Sequence, residues 1–156
     1  MTAVLRQMTR EDLPAVVEIE RITFPLDAWS EAMLRGEIDD QPRTRHYVVA
    51  VDGDTIVGYA GLAAAADQAD VQTIAVLAGH RRSGVGAALL TELLAEAERR
   101  GACEVFLEVR SDNAPAQAMY ERFGFERLGV RRNYYDDGTD AITMVRDLRG
   151  GARERA

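Results

Sequence analysis

The segment Ala78-Gly79-His80-Arg81-Arg82-Ser83-Gly84-Val85-Gly86 constrains this chain more than any other, because it joins a β-rich run to a long helical pattern. Before it, about Asp70 to Leu77, β-formers predominate. After it, Val85, Leu89, Leu90, Leu93, Leu94 and Ala97 recur at helical spacing over more than three turns, and Gly101 ends the pattern. Glycines at such a junction let backbone approach a ligand closely. The free N–H groups and dipole of the helix start then form an anion site, to which Arg81 and Arg82 add charge. The chain has 26 acidic against 19 basic residues, a net −7, so two arginines collected here point to a bound phosphate; a plain tight turn is the alternative. Gly84 and Gly86 also brush against the dinucleotide fingerprint. Its third glycine position is Leu89, which leaves a nicotinamide oxidoreductase as a rival of low weight.

Around this junction the chain alternates. Thr9, Asp12 and Pro14 mark a helix start, with Val16 and Ile19 on its apolar stripe and Pro25 as its stop. Ser30 caps a second short helix, and the loop between the two carries Trp29, the chain's one tryptophan. Tyr47–Val51 and Thr55–Leu62 form a hairpin across Asp52-Gly53-Asp54. Cys103–Arg110 reads as a strand, Ala114–Phe123 as a helix, then Phe125–Arg131 and Ala141–Leu148 as strands. The order β-α-α-β-β-β-α-β-α-β-β predicts one α/β domain over residues 1–149, with a mixed, mostly antiparallel central sheet and helices on both faces. Residues 150–156 are polar and aperiodic, and a frayed tail is expected.

Composition sets the outer limits. At 156 residues one core closes without disulfides or metal, and the lone Cys103, read as a small buried residue, rules out a zinc site of several thiolates. No run of about 18 apolar residues and no basic-then-apolar leader occurs, so neither a membrane span nor secretion is expected and a cytoplasmic place is. The net −7 argues against a nonspecific nucleic-acid binder. There is no lysine beside 24 alanines, a coding bias whose chemical consequence is that no lysine can serve as Schiff-base former, general base or acylation target. His46 and His80 have no partner cluster in the sequence and read as strand-end and loop residues.

With the glycine loop in view, the sequence resembles the GNAT superfamily of acyl-CoA N-acyltransferases, whose signature Q/R-x-x-G-x-G/A is here Arg81-Arg82-Ser83-Gly84-Val85-Gly86. Three later segments, Leu107–Asn113, Ala118–Phe125 and Arg131–Tyr135, are similar to the RimI branch, and the resemblance runs from about Val4 to Leu148. It implies acetyl transfer from acetyl-CoA, a co-substrate, to the N-terminal alanine of a small-subunit ribosomal protein, with no metal. It implies Glu108 as general base and Tyr120 as general acid. It implies the backbone of Ile74, Ala75 and Val76 for the acetyl and pantetheine groups, residues Arg81, Arg82, Ser83, Gly84, Val85, Gly86 and Ala87 for the pyrophosphate, and Asn113 as a further CoA contact. Trp29, Tyr134 and Tyr135 are expected to flank the acceptor. Leu26-Asp27-Ala28 depart from the pattern as extra residues, so acceptor choice is where this chain is expected to differ.

The residues suit that chemistry. Strand alternation puts Glu108 on one face with Phe106, while Val105, Leu107 and Val109 take the other, and desolvation beside an aromatic ring favours a working base. Taken without the resemblance, Glu108 reads as a solvated strand-end glutamate, Tyr120 as a core aromatic and Asn113 as a helix cap. No covalent nucleophile is evident, which favours direct attack in a ternary complex. The rival functions are a GNAT enzyme of relaxed specificity acting on other N-termini, lysine side chains or small amines, and a CoA-binding module without turnover.

Overall fold

The computed structural model describes residues 3–149; the tail expected to fray lies outside the described residues. Apolar alternation produces strands β1 (Val4–Gln7), β2 (Arg45–Asp52), β3 (Thr55–Ala65), β4 (Gln68–Val76), β5 (Glu104–Arg110), β6 (Glu126–Arg131) and β7 (Ala141–Asp147). The helical patterns produce α1 (Leu13–Thr23), α2 (Glu31–Asp39), α3 (Val85–Arg99) and α4 (Ala114–Arg122). Caps act where the sequence places them: Asp12 Oδ2 accepts from the Thr9 backbone N–H at 2.9 Å, Ser30 Oγ from Met33 and Asn113 Oδ1 from Ala116, both at 3.2 Å.

The strands form one sheet in the order β1-β2-β3-β4-β5-β7-β6, antiparallel at every step except β4 to β5. That single parallel step is short. It pairs Gln68 with Glu104, Ala69 with Val105 and Asp70 with Phe106, and then stops. A bulge at Gln72, set between the pairs Leu62–Val71 and Gly61–Thr73, re-aims β4 at the point of separation. Residues 71–76 and 107–110 therefore run on without each other as partners, and the sheet opens into a V.

Two cores flank the sheet. On one face Leu89, Leu90 and Leu93 of α3 pack with Leu62, Val105 and Leu107, and each such leucine contributes about 1.5–3 kcal/mol by leaving water. On the other face Val16 and Ile19 of α1 and Leu34 of α2 pack on Tyr47, Val49 and Tyr59. Gly61 is required here: a Cβ would lie 2.1 Å from the Tyr47 ring, its cross-strand neighbour. Because β5 alternates, Phe106, Glu108 and Arg110 face the α1–α2 side.

Two readings change. Cys103 is half-buried rather than buried, since it sits just outside β5. Both histidines do have partners: His80 Nε2 lies 3.4 Å from Asp52, and His46 Nε2 lies 2.9 Å from Glu92, with Glu96 adjacent, because α3 runs beside β2. Arg99 pairs with both glutamates and Arg100 with Glu96, so that cluster is already neutralised.

Candidate active site

The glycine loop folds as a strained turn onto α3. Arg82 (φ +66°) and Gly84 (φ +89°) both adopt the left-handed region, and Gly84 is the N-cap. No side chain caps the helix, and its first internal bond is Ala88 N–H to Gly84 C=O at 2.9 Å. The N–H groups of Val85, Gly86 and Ala87 precede that bond and are left for a ligand. The two arginines separate in role: Arg81 Nε donates back to the Val76 carbonyl at 3.1 Å, while Arg82 makes no hydrogen bond or ion pair among the described residues. Of the backbone groups expected to meet pantetheine, the Val76 carbonyl is thus already engaged.

On the α1–α2 face, a cleft of about 520 Å³ opens where β4 and β5 part. Glu108, Trp29, Tyr134 and Tyr135, scattered along the sequence, all line it, together with Asp70 and Arg131. Glu108 stands 2.5 Å from Arg131 Nε and accepts a hydrogen bond from the Tyr134 hydroxyl, which raises the tyrosine's pKa. Glu108 Oε2 is nevertheless buried without an aligned hydrogen bond: the guanidinium is close but badly oriented. Burial, with the Glu108 charge added, raises the carboxyl of Asp70, which forms no hydrogen bond or ion pair among the described residues.

The walls of the cleft are clamped by two residues whose importance sequence reasoning missed. Arg110, at the end of β5, pairs with Asp27 at 2.7 Å and Asp137 at 2.6 Å, donates to Thr139, and lies 4.8 Å over the Tyr135 ring. It thereby ties the α1–α2 loop to the β6–β7 loop, with Asp27 as an anchor. Glu20, fully buried on α1, accepts from the Trp29 N–H at 3.0 Å and from the Tyr59 hydroxyl, and burial raises its pKa. The signal for it was visible: a carboxylate on a helix's buried stripe needs donors.

Tyr120 does not line this cleft. It belongs to the core on the α3–α4 face, edge-on to Phe125 at 5.8 Å, and burial pushes its phenol up to about 12. The two residues expected to move protons therefore stand on opposite faces of the sheet. Asn113 caps α4 and is otherwise exposed.

A sheet parted at one parallel step, with an uncapped helix start beside the opening, defines a class that comparison identifies. The acetyltransferase (GNAT) family model matches residues 13–125, and the chain belongs to that family; it is an acetyl-transferring enzyme. Among its relatives, the N-alpha-acetyltransferase RimI of Mycobacterium tuberculosis is 41% identical, over 90% of this chain and 89% of that one. The [ribosomal protein bS18]-alanine N-acetyltransferase of Escherichia coli is 38% identical, over 86% and 90%. The crystal structure of the ribosomal-protein-S18-alanine N-acetyltransferase from Escherichia coli superposes with a TM-score of 0.83 at 34% identity, covering 94% of each chain.

Proposed function

We propose that this enzyme acetylates the α-amine of a protein N-terminus, with alanine first and a small-subunit ribosomal protein as the acceptor, taking the acetyl group from acetyl-CoA. The observation that carries the reading is Glu108 Oε2, a buried carboxylate oxygen without an aligned donor in a cleft at the parting of β4 and β5. The names of the relatives at 34–41% identity agree with it. Such an acceptor also places the enzyme in the cytoplasm. Among the described residues no helix is long and apolar enough to cross a membrane.

The residues present fit acetyl-CoA as a substrate. Val85, Gly86 and Ala87 N–H groups and the free Arg82 suit a pyrophosphate, and the unpaired edge of β4 at Ile74 and Ala75 offers backbone to the pantetheine amides. The acceptor enters from the α1–α2 face between Trp29 and Tyr134. Its amine has an ordinary pKa of about 7.7–8, so a carboxylate suffices to take the proton, whereas a lysine near 10.4 asks for more. The amine nitrogen attacks the thioester carbonyl directly, the C–S bond breaks, Glu108 holds the amine's proton, and the departing thiolate receives one from Tyr120.

Mass spectrometry of peptides incubated with acetyl-CoA tests the reaction. Glu108→Gln is expected to reduce turnover about 100-fold or more with acetyl-CoA binding retained. Near-native rates in Glu108→Gln across neutral pH would assign the proton to water or another group.

A further inference from the structure

The carboxylate that serves as base does not stand open to the cleft. Glu108 Oε2 is inaccessible to solvent, and the atom set against it is Nε of Arg131, at 2.5 Å. Arg131 itself is 63% exposed, at the end of β6, an edge strand whose six residues are all exposed. Its guanidinium lies 5.8 Å over the Tyr134 ring, on the cleft's own wall. A permanent cation thus sits where an acceptor's ammonium must come, held by charge without a well-formed hydrogen bond.

We propose that Arg131 is a displaceable gate over Glu108, withdrawn by the acceptor's own positive charge. The proposal rests on the reading of Glu108 as base. The pair lacks a well-formed hydrogen bond and its Arg131 end is open to solvent, so an ammonium that donates directly to Oε2 replaces the guanidinium at small cost, and Arg131 swings into solvent from its edge position. A neutral molecule that displaces the gate leaves the Glu108 charge without a cation, so it does not enter. Water is excluded in the same way. With Arg131 in place Glu108 activates no water against the thioester, and acetyl-CoA is spared hydrolysis while no acceptor is bound.

Two measurements decide it. The first is calorimetry of an alanine-initiated peptide binding to the CoA-loaded enzyme. Arg131→Ala should tighten binding about two- to fivefold, the modest worth of a pair whose cation lies largely in solvent. Arg131→Lys should keep native affinity. In a Glu108→Gln background Arg131→Ala should change nothing. The second is release of free CoA from acetyl-CoA without acceptor, in which water's oxygen takes the acetyl group, Glu108 takes water's proton, the C–S bond breaks and the thiolate receives a proton from Tyr120. It should rise several-fold in Arg131→Ala and return to the native level in the double variant. Unchanged or weaker peptide binding in Arg131→Ala, or unchanged hydrolysis, overturns the gate. Full turnover in Glu108→Gln overturns the base instead, and the calorimetry still reads the gate.

Discussion

Burial acts on Tyr120 and Asp70 in the same direction, with opposite value. Raised to about 12, the Tyr120 phenol stays protonated throughout the neutral range and is ready to donate. Its hydroxyl makes no hydrogen bond among the described residues, so Tyr120→Phe removes chemistry and little else. We expect steady-state turnover to fall by about 10–100-fold while the melting temperature holds; equal loss of both would return Tyr120 to a purely structural role. Asp70 is raised by desolvation first and by the charge of Glu108 second. A carboxyl raised in the native state favours folding most below its ordinary 3.8 and loses that contribution as pH climbs through the native value. Asp70→Asn should therefore melt higher than the native protein at pH 7 and no higher near pH 3.8, by calorimetry at the two pH values. The same change should weaken binding of a cationic acceptor, because Asp70 and Glu108 share the cleft. Stability is given up where charge is needed.

At the scale of elements, the start of α3 invites a sharper test than its cap glycine. Gly84→Val strains a residue at φ +89°, so lost binding would be confounded with lost folding. Gly86 is the second residue of α3, the place Pro14 holds in α1 and Pro115 in α4. Its added Cβ would meet only Met119 Sδ at 3.6 Å and Val76 Cγ2 at 3.8 Å. Gly86→Pro deletes one N–H and keeps the helix. Titration calorimetry should show CoA affinity about tenfold lower with a melting point near native, the worth of one hydrogen bond to a charged group. Glu20 gives a second test at this scale. Burial raises it above its ordinary 4.5, so it favours folding below that pH and less as pH rises. Melting curves from pH 4.5 to 7 should show native stability falling relative to Glu20→Gln, whose loss of an acceptor for Trp29 or Tyr59 does not vary with pH. How much of this was legible follows the range of each contact. The Leu89–Leu94 stripe, the Ser30 and Asn113 caps and the Asp52-Gly53 turn are local, and most elements stand within about two residues of their reading; β3 runs three residues further, and the helix start read at Thr9 opens as a 3-10 turn over Arg10–Asp12 before α1 begins at Leu13. The parting of β4 and β5 depends on a parallel pairing 36 residues apart, which no periodicity encodes. Arg110 meets Asp27, 83 residues away, and Asp137, 27 away, so neither partner marks it in the sequence. Glu108, Trp29, Tyr134 and Tyr135 were reached through resemblance, and the folded chain sets them in one cleft.

For the molecule as a whole, the balance of 26 acidic and 19 basic residues makes a field that acts before any contact forms. The cleft keeps that sign once Arg131 withdraws: Asp70 and Glu108 remain, with tyrosines, tryptophan and glutamines around them. A peptide with a free amine and a basic tail is drawn to such a surface, and the attraction fades beyond a Debye length of about 8 Å at physiological salt. Three peptides separate this field from the chemistry of the amine. An alanine-initiated peptide with an arginine-rich tail should show kcat/KM falling as salt rises from about 0.05 to 0.5 M, through KM rather than kcat. The same peptide with a neutral tail should start lower and vary little. The third keeps the basic tail, carries a blocked N-terminus and offers one internal lysine; it meets the same field but presents an amine near pKa 10.4, about 2.5 pH units harder to deprotonate. Its acetylation should be slow at every salt concentration at pH 7 and gain as pH rises. Equal rates for the blocked and free peptides would make the acceptor a lysine side chain. A neutral-tailed peptide as salt-sensitive as the basic one would move the recognition from the whole molecule's charge to the cleft alone.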